Sequence, residues 1–318
     1  MKHSASNWNS HNPHVGNDVS EAAQAYLAQK VVLTAVSPNT LHNLRAEEEK
    51  DAILTNEPII SAYVDTLEKG YLGGVPVLLV TPKNYDTANE AYRLLYFFGG
   101  AFVVGSPDVD LPIIARLAAR LGVKIVAPCY RRAPEHPYPA AVDDGLAVYQ
   151  ALLKTTNPHQ LSIVGESAGG NLALAVALRA AANSLPLPAS LALLSPWCDL
   201  TPTGESQQIA DFDPTLNYEQ HLKWATAVYA PHKDPRISPL YAAYPPTFPP
   251  TLITTGTRDL FLSDCKRLVA KLQQEGISAW LRIWEGMWHV FEWYRQLPEA
   301  ERSMDEICHF IQTQFDNL

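Results

Sequence analysis

The sequence predicts an α/β fold with a mostly parallel sheet of eight strands flanked by helices. Three observations carry this expectation. Short apolar runs alternate with helical patterns from about residue 93 to residue 284, the mark of βαβ units. A G-x-S-x-G pentapeptide, Gly165-Glu166-Ser167-Ala168-Gly169, falls between a strand pattern and a helix pattern, where a sharp strand-to-helix turn belongs. The chain has 318 residues, 47% of them hydrophobic and 18% charged. That supplies one large core better than two equal domains.

The elements follow in order. Residues 1–17, rich in Asn, Ser and His, read as a tail outside the core. His3, His11 and His14 within it read as solvated rather than metal-binding. Ser20 can cap a helix that starts at Glu21, and Asn39 or Thr40 can start a second that runs through Lys50. Residues 61–65 and 76–80 read as a strand pair joined through Gly70, Gly73 and Gly74. Residues 93–98 are a third strand. Helix 113–121, strand 124–127, helix 140–153 and strand 161–164 follow. The helix after Ser167 leads to strand 191–194. Strands 251–255 and 279–284, with helix 265–274 between them, complete the set. Between about Thr201 and Pro250 there is no strand pattern, only helical material from Tyr218 to Tyr229 and Pro-rich connections. An insertion of that length between core strands suggests a lid.

The bulk numbers exclude some partners. Net charge is −9, which disfavours nucleic acid. Cys129, Cys198, Cys265 and Cys308 are widely spaced, so neither a zinc site nor a disulfide framework is indicated, and reduced thiols in a cytoplasmic protein are expected. The start of the chain has no apolar signal segment, and no stretch reaches membrane-spanning length. The chain leaves the oligomeric state, a homodimer included, undecided.

A serine nucleophile needs a base, and the base needs an orienting carboxylate. Four histidines follow Ser167. His221 and His232 fall in the insertion and His309 in the last helix. His289 follows the last strand, and catalytic groups of open α/β sheets lie in loops at strand carboxyl ends. His289 is therefore the expected base. Asp259 follows the preceding strand and is the expected acid, with Asp264 second because a helix-start role also explains it. Ala168, the residue after the nucleophile, is expected to give one N–H to the tetrahedral oxyanion. The rest should come from the loop after the third strand, Phe98-Gly99-Gly100-Ala101-Phe102.

Four blocks carry a family resemblance: Phe98 to Phe102, Tyr130-Arg131-Arg132-Ala133-Pro134-Glu135-His136-Pro137-Tyr138-Pro139-Ala140-Ala141, Gly165 to Gly170, and Gly286-Met287-Trp288-His289. With these the chain resembles the hormone-sensitive-lipase-like branch of the α/β-hydrolases, the bacterial carboxylesterase type. The resemblance implies further oxyanion N–H groups from Gly100 and Ala101. It implies a helical cap built from the N-terminal helices and the insertion. The chain then divides into tail and cap helices (1–55), core (56–200), cap insertion (201–245) and core again (246–318). The resemblance also implies hydrolysis of short-to-medium acyl esters or lactones, without a cofactor or metal. Two departures stand out. Phe98 replaces the family's histidine and removes a polar handle on the loop. Ala101 replaces its third glycine, and alanine tolerates a positive φ poorly.

Phe98, Phe102, Tyr130, Trp197, Phe212 and Trp288 are expected to line an apolar substrate pocket, with Trp224 and Tyr229 as further candidates, against core packing as the plainer role. Glu135 reads either as a support near the oxyanion loop or as a surface charge. Two other functions fit the residues. One is a silent ligand-binding protein of the same fold, as in plant gibberellin receptors, which lack the histidine that His289 supplies here. The other is an amidase, deacetylase or acyltransferase using the same triad.

Overall fold

The computed structural model describes residues 14–15, 19–29, 34–209, 212–230, 234 and 236–316. His3, His11, His232 and most of the expected tail lie outside them. The strands are β1 (His14–Val15), β2 (Val64–Leu72), β3 (Val75–Pro82), β4 (Arg93–Phe97), β5 (Lys124–Pro128), β6 (Leu161–Glu166), β7 (Ser190–Leu194), β8 (Thr251–Gly256) and β9 (Ala279–Trp284). The helices are α1 (Glu21–Leu27), α2 (Leu41–Tyr63), α3 (Leu111–Leu121), α4 (Ala140–Leu152), α5 (Ala168–Ala182), α6 (Lys223–Tyr229), α7 (Leu262–Gln274) and α8 (Pro298–Asp316).

The eight expected strands form one sheet, and β1 adds two residues at its edge. The order is β1-β9-β8-β7-β6-β4-β5-β3-β2. Only the β2–β3 and β3–β5 pairings are antiparallel. Strands β4 to β8 are almost wholly buried on both faces, which is why they read as mainly apolar runs without polar alternation. Helices α3 and α8 pack together on one face, and α4 and α5 on the other. Right-handed crossovers require this: β4 to β5 runs one way along the sheet, and β5 to β6 and on to β7 the other. The reversal puts the carboxyl ends of β4 and β6 side by side, at the switch point where open sheets place their ligand crevice.

The N-terminal half holds one correction. Residues 61–63 are helix, not strand, because α2 continues from Leu41 to Tyr63 through Pro58. It crosses the expected boundary at residue 55. Its buried residues are few (Leu41, Ala52, Asn56, Ile59), so its apolar periodicity is faint. Ser20 does cap α1: its Oγ accepts Ala23 N–H at 3.2 Å.

Candidate active site

Ser167 alone turns the chain from β6 into α5, with φ 53° and ψ −120°. Such a conformation costs about 1–3 kcal/mol and persists only where the surroundings enforce it. The turn closes because Gly165 and Gly169 lack side chains. A Cβ on Gly165 would collide with the Gly169 carbonyl, and one on Gly169 with the carbonyls of Phe97 and Phe98. Those atoms are backbone and cannot swing aside. Gly169→Ala is therefore expected to destabilise the fold by roughly 1–3 kcal/mol or more. Thermal unfolding checks this, and an unchanged melting temperature would contradict the packing described.

His289, in the loop after β9, places Nε2 2.9 Å from Ser167 Oγ and Nδ1 3.2 Å from Asp259 Oδ1. Asp259, just past β8, is fully buried. Its Oδ1 also accepts Phe261 N–H at 2.9 Å, and its Oδ2 the Thr255 hydroxyl at 2.7 Å. Burial alone would raise this carboxyl, but the His289 imidazole and the hydrogen bonds hold it below its ordinary value. Burial would likewise lower His289, but Asp259, helped by Asp213 and Glu292, holds it above its ordinary value. The arrangement favours an imidazolium beside a carboxylate.

Asp264 is elsewhere. It lies in the first turn of α7, whose cap position is Phe261. Its carboxyl meets Arg267 at 3.1 Å and Gln207. Burial, with Asp199 nearby, pushes it up to about 7. It makes no hydrogen bond to His289. His309 is exposed on α8.

The loop after β4 stands beside the serine turn. Gly100 (φ 94°), Ala101 (φ 52°) and Phe102 (φ 63°) are all left-handed. At Ala101 a positive φ costs an L-residue on the order of 1–3 kcal/mol. Surrounding groups hold the loop there. Arg45 of α2 donates to Val103 O at 2.8 Å and to Ala133 O at 2.8 Å. Glu48 of α2 accepts Gly105 N–H at 2.9 Å. Glu135 reaches the loop indirectly, through a two-pronged ion pair with Arg45. Among the described residues, no backbone carbonyl is paired with Gly100 or Ala101 N–H. Ala168 opens α5, where N–H groups point toward the helix start.

Gly100, Ala101, Ser167 and His289 border one cavity of about 250 Å³. Its apolar lining comes from Val36, Val104, Leu216, Leu222, Val290 and Trp293. The six aromatic side chains expected to line it do not. Phe98 is buried and stacks on Tyr130 at 4.0 Å, and the Tyr130 hydroxyl donates to Phe98 O at 2.8 Å. Phe102 stacks on Tyr229 at 3.8 Å, Trp197 on Phe261 at 6.0 Å and Trp288 on Tyr26 at 4.2 Å. Phe212 borders a neighbouring cavity, and Trp224 packs partly buried on the core. The correction has a simple cause: large flat side chains fill the space beneath the loops, and aliphatic residues of the insertion and of the segment before α2 reach the serine. That segment and the insertion are joined, since Val36 N–H donates to Gln220 O at 2.8 Å.

One residue of the insertion escaped the sequence reading. Asp213 is 4% exposed. Its Oδ2 accepts both His289 N–H (2.9 Å) and Leu260 N–H (3.1 Å). Its Oδ1 accepts from Thr215 and Leu216. Burial, then the charge of Asp259, pushes this carboxyl up to about 6. The carboxylate clamps the loops that carry His289 and Asp259 to the insertion. Asp213→Asn turns an NH₂ toward two N–H donors. It should cost about 1.5–3 kcal/mol of stability and lower kcat by roughly tenfold through misplaced His289. Thermal unfolding and steady-state kinetics read both, and parent-like values in each would remove the clamp.

Residues 94–293 match the family model described as alpha/beta hydrolase fold. The chain is 34% identical over 229 residues to an esterase of Acinetobacter venetianus, covering 70% of this chain and 75% of that one. It is 34% identical over 231 residues to an acetyl-hydrolase of Streptomyces hygroscopicus, covering 70% and 76%. Among solved structures, EstE5 superposes with a TM-score of 0.84 at 31% identity, covering 95% of this chain and all of that one (100%). A hormone-sensitive lipase from a metagenome library gives 0.79 at 33% identity, covering 92% and 97%. The chain therefore belongs to the α/β-hydrolase family, in its hormone-sensitive-lipase-like branch of bacterial carboxylesterases.

Proposed function

We propose that the protein hydrolyses short-to-medium acyl esters or lactones through an acyl-enzyme on Ser167. The observation that carries this is the hydrogen-bonded line Asp259–His289–Ser167, ending in the cavity that Gly100 and Ala101 border. His289 Nε2 takes the Ser167 proton as Oγ attacks the ester carbon. Asp259 keeps the Nδ1–H tautomer and balances the imidazolium. The oxyanion accepts from the N–H groups of Gly100, Ala101 and Ala168. His289 then protonates the departing alcohol. A water, losing its proton to His289, attacks the acyl-enzyme and releases the acid.

A cavity of about 250 Å³ lies below the usual range for drug-sized ligands, which favours small esters. Its aliphatic lining suits an acyl chain. We read the segment from Thr34 to α2 and the insertion around residues 212–230 as a cap over this cavity. Four free thiols, three of them buried, fit a reducing cytoplasm. Among the described residues, no helix is long and apolar enough to cross a membrane.

The test is a panel of p-nitrophenyl esters from acetate to octanoate, with lactones and amides, beside fluorophosphonate labelling. Hydrolysis should be fastest for the shorter esters, with the label on Ser167. No hydrolysis above buffer, together with no label, would overturn the reading. Faster cleavage of amides than of esters would move it to the amidase class.

A further inference from the structure

Two buried carboxyl groups meet behind the loop that carries Gly100 and Ala101. Glu166, just before Ser167, and Asp110, just before α3, are 6% and 5% exposed, and after burial the charge of Asp110 raises the Glu166 carboxyl. Two neighbouring carboxyl groups in a dry site do not both ionise readily, so they share a proton. The partners decide who holds it. Asp110 Oδ2 already accepts the Tyr96 hydroxyl at 2.9 Å, which marks Asp110 as the acceptor and Glu166 as the donor.

The Glu166 carboxyl also touches the loop. A Cβ on Gly99 would overlap Glu166 Oε1, so glycine there lets backbone and carboxyl meet. Both Glu166 carboxyl oxygens lie against the Gly99 backbone. Glu166 borders the cavity at Ser167 as well. The titratable groups facing the pair are Tyr96 of β4, Tyr130 after β5, Glu48 of α2 and Glu292 after β9. None is a cation. Arg45 and Arg132 lie beyond, against Glu48.

We propose that Glu166 works as a neutral carboxylic acid that positions the oxyanion loop. Its O–H is given to Asp110, and its remaining oxygen is the seat for Gly99, hence for the N–H groups of Gly100 and Ala101. The inference rests on the esterase reading above. Ionising Glu166 would place two negative charges together and drive its carboxyl off that seat. The neutral form is the active one, so activity is present below the folded pKa of Glu166 and lost as pH rises through it. Burial and the Asp110 charge raise that pKa well above the ordinary one.

The test uses p-nitrophenyl butyrate and the full chain. Glu166→Ala should lower kcat about 100-fold, the scale of losing one oxyanion donor, with KM within about threefold. Glu166→Gln, whose amide N–H can bond Asp110, should bring kcat back to within about threefold of the parent and abolish the alkaline fall in kcat. Asp110→Asn should move that fall to lower pH, because removing the neighbouring charge makes Glu166 easier to ionise. A Glu166→Gln variant as slow as Glu166→Ala would overturn the neutral-acid role. So would an Asp110→Asn profile superimposable on the parent's, which decides the matter even if Glu166→Ala fails to fold. Absence of both hydrolysis and Ser167 labelling in the parent would instead strike the esterase reading.

Discussion

Ser167→Ala is expected to lower kcat for p-nitrophenyl butyrate by roughly 10⁴–10⁶-fold, with KM close to the parent's. The factor corresponds to about 5–8 kcal/mol of transition-state stabilisation. Its size follows from what the hydroxyl does: its oxygen would become the atom bonded to the acyl carbon, and nothing else in the cavity can take that place. His289 Nε2, 2.9 Å away, would keep its position and lose its partner. The N–H groups of Gly100, Ala101 and Ala168 would remain, so a residual rate above the uncatalysed one should persist. Stability should barely change. Alanine inherits the same strained φ of 53°, and the lost group is a single hydroxyl bonded to an imidazole. Fluorophosphonate labelling should vanish with activity. A variant within tenfold of the parent would mean that another group attacks the ester.

The sheet was legible because its strands are buried on both faces. Leu94–Phe97 and Leu191–Leu194 are unbroken apolar runs and Leu161–Val164 is interrupted only by Ser162, and the strand order fixes right-handed crossovers. That Ser167, Asp259 and His289 would meet was legible because each lies in the turn or loop at the carboxyl end of a strand. What lies off the strand ends was not. The length of α2 was hidden by Pro58 and by a face with few buried residues. Asp213 sits 76 residues before His289, in a loop that carries no periodic signal. The aromatic residues misled because residue type does not say on which side of a loop a ring packs. Glu166 stands in plain view inside the G-x-S-x-G pentapeptide, but its proton is decided by Asp110, which only the fold brings alongside.

Asp259→Asn carries the second large effect, a loss in kcat of about 10⁴-fold. The carboxylate accepts from His289 Nδ1, the Thr255 hydroxyl and Phe261 N–H at once. An amide cannot accept on both sides. With its NH₂ toward His289, Nδ1 becomes the acceptor and Nε2 carries the proton. Nε2–H then faces Ser167 as a donor, and the base is gone. The pH profile should move in a definite direction. Asp259 is the foremost of the groups that hold the imidazole above its ordinary value against burial. Without its charge the imidazole titrates lower, so the acid limb of kcat/KM shifts to lower pH while the plateau collapses. Asp213 keeps its grip on the His289 backbone at 2.9 Å, so the ring should stay near Ser167 and KM should change little. A fall below tenfold would show that Asp213 takes over the charge of Asp259. An acid limb moving to higher pH would contradict the electrostatic arrangement described here.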